Sequence, residues 1–274
     1  MIQLAYNLNG LRSMPLNEAC TRVADVGFAG VELSLHPSHL DPFSCRTRDL
    51  VELRRVAGDL GLKIPSLAAG ADNLLSSQRF EPSLVSPSAD GRRQRLELLR
   101  RAIVIAEELQ IPNLNFATGI LNPEISRSVA FEWLMEGLGQ LLELSETVTL
   151  IMEPEPGFFL QRNAEVADLI EEIGHPRFRL AQDLGHTRVV DNDYLSSVRE
   201  YLDVSPVIQV EDIKGRVHNH EIPGDGDIDW TAFADLLADA GWSGWLSVEL
   251  YNQEDRLDDA LRRSFEILQS VVVR

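Results

Sequence analysis

Four oxygen-bearing side chains stand at or near the ends of short apolar runs. Glu153 closes Leu150-Ile151-Met152, Asp183 closes Leu180-Ala181-Gln182, Glu249 follows Leu246-Ser247-Val248, and Gln209 lies within Val207-Ile208-Gln209-Val210. If these runs are neighbouring parallel strands, three carboxylates meet at one opening with an amide between them. Acids so placed repel one another, and withdrawal from water penalises their charged forms. Two arrangements relieve the strain: some of the acids hold protons, or a divalent cation binds among them. Oxygen donors, with or without an imidazole, suit Mn²⁺, Mg²⁺ or Co²⁺. Further polar residues cluster nearby in sequence. His186 follows Asp183 by three, and His218 and His220 precede a Pro223-Gly224 turn. All three imidazoles are candidates to contact substrate oxygens. Glu155 either points into the opening as a substrate contact or braces the Pro154-Glu155-Pro156 turn. Glu211 and Asp212 either orient the ligands from behind or form a solvated acidic pair. His36 and His39 rank behind these.

The elements that must position these residues alternate along the whole chain. Apolar, β-branched runs occur at 2–6, 30–35, 63–68, 113–117, 149–153, 179–183, 207–211 and 245–250. Their lack of polar alternation marks strands buried on both faces. Helix-spaced stretches separate them. In 16–26 the residues Leu16, Ala19, Val23 and Val26 share a face, with Gly27 as a stop, and 50–60 ends likewise at Gly61. Others lie at 92–109, 131–144, 164–173, 230–240 and 257–272, with a weaker pattern at 194–201. Eight such units in 274 residues average about 34 residues each, the size of a strand plus a crossover helix. The expectation is an α/β chain, a single (β/α)8 TIM barrel occupying 1–274 as one domain. An open doubly wound sheet also alternates, but no glycine-rich dinucleotide turn follows the first run. The stretch 76–92, rich in Ser, Pro and Gly, follows the third strand on the face where a barrel keeps its active site. It either covers a pocket or is a surface excursion.

Composition narrows the partners. The chain is 44% hydrophobic and 25% charged, with a formal net charge of −18. That field disfavours nucleic acid and anionic membrane surfaces. Arg12, Arg46, Arg188 and Arg216 are the cations expected near the opening, and they form no phosphate-binding cluster. Two cysteines, Cys20 and Cys45, are too few for a disulfide framework or a thiolate zinc cluster. No leader and no membrane-length apolar run is visible, so the expected setting is cytoplasmic. Trp230, Trp242 and Trp245 are expected to pack in the core.

Asp183-Leu184-Gly185-His186 and Pro223-Gly224-Asp225-Gly226-Asp227-Ile228-Asp229-Trp230 resemble motifs of the xylose-isomerase-like sugar isomerase and epimerase barrels. This group includes tagatose-type 3-epimerases, hydroxypyruvate isomerase, inosose dehydratase and the endonuclease IV branch. Gly27-Phe28-Ala29-Gly30-Val31-Glu32 and Gly241-Trp242-Ser243-Gly244-Trp245-Leu246-Ser247-Val248-Glu249 are similar as well. The resemblance implies one divalent metal held by Glu153, Asp183, Gln209 and Glu249, with Glu153 and Glu249 doubling as the acid–base pair. It departs from the family at Gln209, where a histidine is usual. All-oxygen ligation shifts the expected ion toward Mn²⁺, ahead of Mg²⁺ or Co²⁺. The implied chemistry is isomerisation or epimerisation of a sugar or sugar derivative, by removal of a proton beside a carbonyl and a metal-stabilised enediolate. A lyase or dehydratase acting on a keto-sugar or ketocyclitol shares that first step. A non-catalytic barrel with a degenerate metal site is the reading that Gln209 favours. Few histidines and the acidic charge disfavour the endonuclease IV branch. The expected partner is a small carbohydrate; the oligomeric state stays open, a homodimer being common among such barrels.

Overall fold

A computed structural model describes residues 1–70 and 73–273. Eight parallel strands close into one barrel in sequence order. They are β1 Gln3–Asn7, β2 Gly30–Ser34, β3 Ser66–Ala68, β4 Asn113–Ala117, β5 Thr149–Glu153, β6 Phe178–Asp183, β7 Val207–Val210 and β8 Trp245–Val248. β1 pairs with β2 on one side and β8 on the other, which completes the ring. The helices are α1 Leu16–Val26, α2 Thr47–Asp59, α3 Ala89–Leu109, α4 Arg127–Leu142, α5 Asn163–Ile173, α6 Leu184–Val190, α7 Tyr194–Glu200, α8 Trp230–Ala240 and α9 Leu257–Val272. The chain is therefore a single (β/α)8 barrel, as its alternation predicts.

Period-two alternation along each strand divides the core in two. Val31, Leu33, Leu114, Phe116, Leu150, Met152, Leu180, Ile208, Val210 and Leu246 belong to the large cluster that seats the helices. Ile151, Ala181 and Val207, with Trp245 against them, form a separate small cluster inside the barrel. α1 shows how the helices are delimited. Ala19, Cys20 and Val23 are buried, and Gly27 at φ 111° closes the helix by donating its N–H to the Ala24 carbonyl. A left-handed residue at this position is least strained as glycine.

Several element ends differ from the expected ones by up to four residues, and three departures bear on the site. β3 is only three residues long, because Pro65 has no N–H for the ladder and leaves Lys63 in an isolated bridge with Gly30. β7 and β8 stop at Val210 and Val248, so Glu211 and Glu249 are the first residues beyond their strands. Between β6 and β7 there are two helices rather than one. α6 starts directly after Asp183, whose carboxylate accepts the His186 N–H at 2.6 Å as its cap. Trp230, Trp242 and Trp245 pack against the core as expected, with Trp230 and Trp242 also donating to Asp212 and to the Ser205 carbonyl. No helix among the described residues is long and apolar enough to cross a membrane.

Candidate active site

The C-terminal mouth of the barrel gathers Glu153, Asp183 and Glu249 with Glu155 and Glu211. The Asp183 side chain is fully buried, and those of Glu153 and Glu249 are each 12% exposed. Each key glutamate has one oxygen pinned by amides. Glu153 Oε2 accepts from Asn115 Nδ2 at 2.8 Å, and Glu249 Oε1 accepts from Asn9 Nδ2 at 2.7 Å and Asn7 Nδ2 at 3.2 Å. Burial drives the acidities of this group. Desolvation, then repulsion by Glu249, Glu155 and Asp183, pushes Glu153 well above the usual carboxylate range. Desolvation raises Asp183 to about 6 and also raises Glu249, with Asn9 opposing the rise in Glu249. Glu211 is wholly buried and faces Asp183; desolvation and that repulsion push it up. It is not a solvated residue.

Gln209 sits level with Asp183 and Ser247 in the strand register. Its Oε1 accepts from Asn115 Nδ2 at 3.1 Å and its Nε2 donates to Glu32 Oε1 at 3.4 Å. Glu32 also accepts from Ser66 Oγ at 3.1 Å and Ser247 Oγ at 2.6 Å. A polar layer thus separates the apolar plug below from the carboxylates above. An amide oxygen has two lone pairs, so the bond from Asn115 leaves Gln209 Oε1 one for another partner.

The histidines come from α6 and from the excursion between β7 and α8. Asp212 organises that excursion from a fully buried position. Its Oδ1 accepts from the N–H groups of Ile213 and Ile228, and its Oδ2 from Gly224 N and Trp230 Nε1. A side chain at Gly226 would collide with this carboxylate, which explains the second glycine of the Pro-Gly-Asp-Gly run. Backbone bonds in both directions between Asp212 and Glu221 then place His220 at the mouth. Its carbonyl accepts from Gln253 Nε2 at 2.8 Å and its ring lies 4.5 Å from that of Tyr251. His186 and His218 meet edge-on with ring centroids 4.6 Å apart. Burial lowers all three imidazoles, with neighbouring imidazoles lowering His186 and His218 further; His218 falls to about 4. They are neutral at pH 7.

A cavity of about 170 Å³ opens here, enough for a small polar molecule. Glu153, Glu155, His186, His218, His220 and Glu249 all line it. The expected site residues thus converge, except that Gln209 and Asp183 lie just beneath the lining. Glu155 points inward rather than bracing its turn. His36 and His39 bond locally, to Ser38 Oγ and the Met14 carbonyl, and are not among the lining residues.

Several lining residues escaped the sequence reading: Asn9, Asn115, Arg79, Phe80 and Tyr251. Arg79 and Phe80 come from the irregular 76–92 stretch, which therefore covers the pocket. Arg79 lies over the Tyr251 ring at 4.9 Å. Of the four arginines expected at the mouth, Arg12 acts electrostatically on Glu249. The others are engaged elsewhere. Arg188 lies over Tyr194, Arg216 bonds the Val189 carbonyl and Asn192, and Arg46 precedes the first turn of α2. Their sequence positions after the strands carried no information on side-chain direction.

A divalent cation fits Glu153 and Asp183 together with His186, a group that does not include the expected ligand Glu249. Asp183 Oδ2 is buried without a hydrogen-bond partner, and donor atoms of Glu153, Asp183 and His186 lie within 4.8 Å of one another. An orphaned carboxylate oxygen among mutually repelling acids is what a cation relieves. A family model described as xylose isomerase-like TIM barrel matches residues 20–271. A putative hydroxypyruvate isomerase of Mus musculus is 24% identical over 176 residues, 59% of this chain and 62% of that protein. The chain therefore spans less than two thirds of that relative's length. The structure of 3-keto-D-glucoside 4-epimerase YcjR from E. coli superposes with a TM-score of 0.81 at 12% identity, covering 100% of both chains. That of the IolI protein with a bound zinc atom does so at 0.79 and 16%, covering 98% of each. At these identities the structural likeness concerns the fold.

Proposed function

Because the chain belongs to the xylose isomerase-like TIM barrel family, we propose that it is a divalent-metal-dependent isomerase or epimerase of a small sugar or sugar derivative. The reaction is removal of a proton from the carbon beside a carbonyl and its return to the same or a neighbouring carbon. The observation that carries this reading is the pair Glu153 and Glu249, both desolvated and both lining one small cavity.

Glu153, Asp183 and Glu249 would hold the cation, with the Gln209 carbonyl oxygen as a neutral fourth donor; an all-oxygen set of this kind suits Mn²⁺. Bound there, the ion supplies positive charge to the oxygens on which the enediolate charge develops. The chain's own residues do the rest. Asn115 fixes Glu153 through Oε2, and Asn9 and Asn7 fix Glu249 through Oε1. Each glutamate therefore keeps its other oxygen for a proton. Their raised pKa values bring proton uptake and release closer to neutral pH, where general acid–base catalysis is most effective. Phe80 and Tyr251 wall the cavity, and Arg79 covers its acidic lining. Neutral His186, His218 and His220 with Glu155 form the side that faces the substrate's oxygens.

The test is deuterium uptake from D₂O into a panel of ketoses and ketocyclitols with Mn²⁺ supplied. Exchange at the carbon beside the carbonyl is expected with at least one of them. A broad panel without exchange would defeat the proposal, and a product that has lost water would reassign the chemistry to a lyase.

A further inference from the structure

We propose that a pocket at the N-terminal end of the barrel, opposite the carboxylate mouth, binds a small zwitterion of the α-amino acid class. The strands β5 to β8 each contribute one residue to the apolar plug: Ile151, Ala181, Val207 and Trp245. Two residues earlier in each case stand Thr149, Arg179, Ser205 and Ser243, and all four line a pocket of about 400 Å³. It is larger than the cavity at the mouth and of the size that small-molecule sites occupy. Side chains two apart along a strand face the same way. Arg179 therefore enters the pocket from inside the barrel, whereas Phe178 and Leu180 on either side of it belong to the core that seats the helices.

The charged groups of this pocket lack partners. Arg179 is half-buried, and among the described residues no hydrogen bond or ion pair engages it. Arg177 shows the alternative, donating to the Leu142 carbonyl at 2.9 Å and the Val148 carbonyl at 3.2 Å. A guanidinium drawn in from solvent is ordinarily paired, and its planar fork matches a carboxylate. The opposite pole is Asp203, the one acid of the lining among the described residues, exposed and in no ion pair with Arg179 or any other cation. Ala240 and Gly241, which close α8, also line the pocket, and the carbonyls of a helix C-terminus favour an ammonium. A positive and a negative pole that do not pair with each other suit a molecule carrying both charges. A dicarboxylate would be repelled by Asp203 and the helix end, and a plain amine by Arg179. The hydroxyls of Thr149 and Ser243 have no partner among the described residues and are free to donate to the ligand's carboxylate. The Trp242 indole, held by its Nε1 bond to the Ser205 carbonyl at 3.1 Å, stands with Pro206 as an apolar wall for a side chain.

The experiment is equilibrium dialysis of the full chain against L-leucine, L-phenylalanine and L-threonine, repeated with the N-acetyl derivative and the primary amide of whichever binds. At least one of the three amino acids is expected to bind saturably, one molecule per chain. The N-acetyl derivative lacks the ammonium and the amide lacks the carboxylate, so both should bind about 10-fold more weakly or worse, the scale of a hydrogen-bonded charge. Arg179→Ala should weaken binding to the same degree, and Asp203→Asn, at an exposed position, by about 2–5-fold. In ¹⁵N-labelled protein the Trp242 indole resonance should shift on binding, and that of Trp230, which bonds Asp212 in the excursion at the mouth, should not. No binding by any of the three, binding that Arg179→Ala leaves intact, or an N-acetyl derivative that binds as tightly would each overturn the proposal. If Arg179→Ala does not fold, the derivative series and the two indole resonances of the unsubstituted chain decide. A shift confined to Trp230 places the molecule at the mouth and refutes the site.

Discussion

The two ends of the barrel interior are built from the same strands and differ in almost every physical respect. At the bottom, Ile151, Ala181, Val207 and Trp245 fill the bore with hydrocarbon. Two residues further along β5, β6 and β7 the inward positions become Glu153, Asp183 and Gln209. The plug gains stability from burial and close packing. The mouth loses it, because acids are desolvated next to acids. A protein keeps such an arrangement where a ligand compensates for it, so the contrast separates scaffold from site within a few ångströms.

Substitutions at the two ends should fail in opposite ways. The largest effect is expected for Glu153→Gln or Glu249→Gln, which should lower deuterium exchange by roughly 10²–10⁴-fold. In metal-free protein Glu153→Gln should also raise the melting temperature at pH 8. Its carboxyl is pushed up by burial, so above the unfolded value the native state is penalised for losing the proton. A less stable Glu153→Gln at that pH would contradict the comparison. Ile151→Ala should do the reverse, costing about 2–5 kcal/mol in denaturant unfolding while leaving exchange per folded molecule intact.

The layer between the ends gives a smaller effect with a definite sign. Desolvation raises Glu32 from 4.5 to about 7, with Ser247 and Ser66 opposing the rise. Between those values the native state holds a proton that the unfolded chain has released. Stability should therefore fall as pH rises through that window, by up to ~3 kcal/mol. Glu32→Gln should flatten the decline, since the serine hydroxyls can turn to accept from the new amide. Unfolding of both proteins at pH 5 and pH 8, after chelation, checks it. The smallest effect belongs outside the barrel. Arg55→Ala breaks exposed pairs with Glu52 and Asp59 and should leave the denaturation midpoint almost unchanged.

The sequence made the barrel legible because doubly buried strands and amphipathic helices leave periodic traces, and eight of each alternate. It also marked Glu153, Asp183 and Glu249, since a carboxylate ending an apolar run is conspicuous. It did not reveal α6, where one residue is both strand end and helix cap. Nor did it decide whether Glu155 points into the opening or braces its turn, or whether Glu211 and Asp212 are solvated. Asp212 is buried because its four donors include groups as distant as Trp230, a pairing with no local pattern.

The order of strands and helices, and the acids at their ends, were determined by the sequence alone, because each follows from near neighbours in the chain. The direction of a side chain past a strand end depends on what closes over it. Tertiary structure therefore decided that Arg79 reaches the mouth while Arg216 turns away. It also decided that Asn115 binds both Glu153 and Gln209, and that two histidines from a loop and one from a helix meet at the mouth.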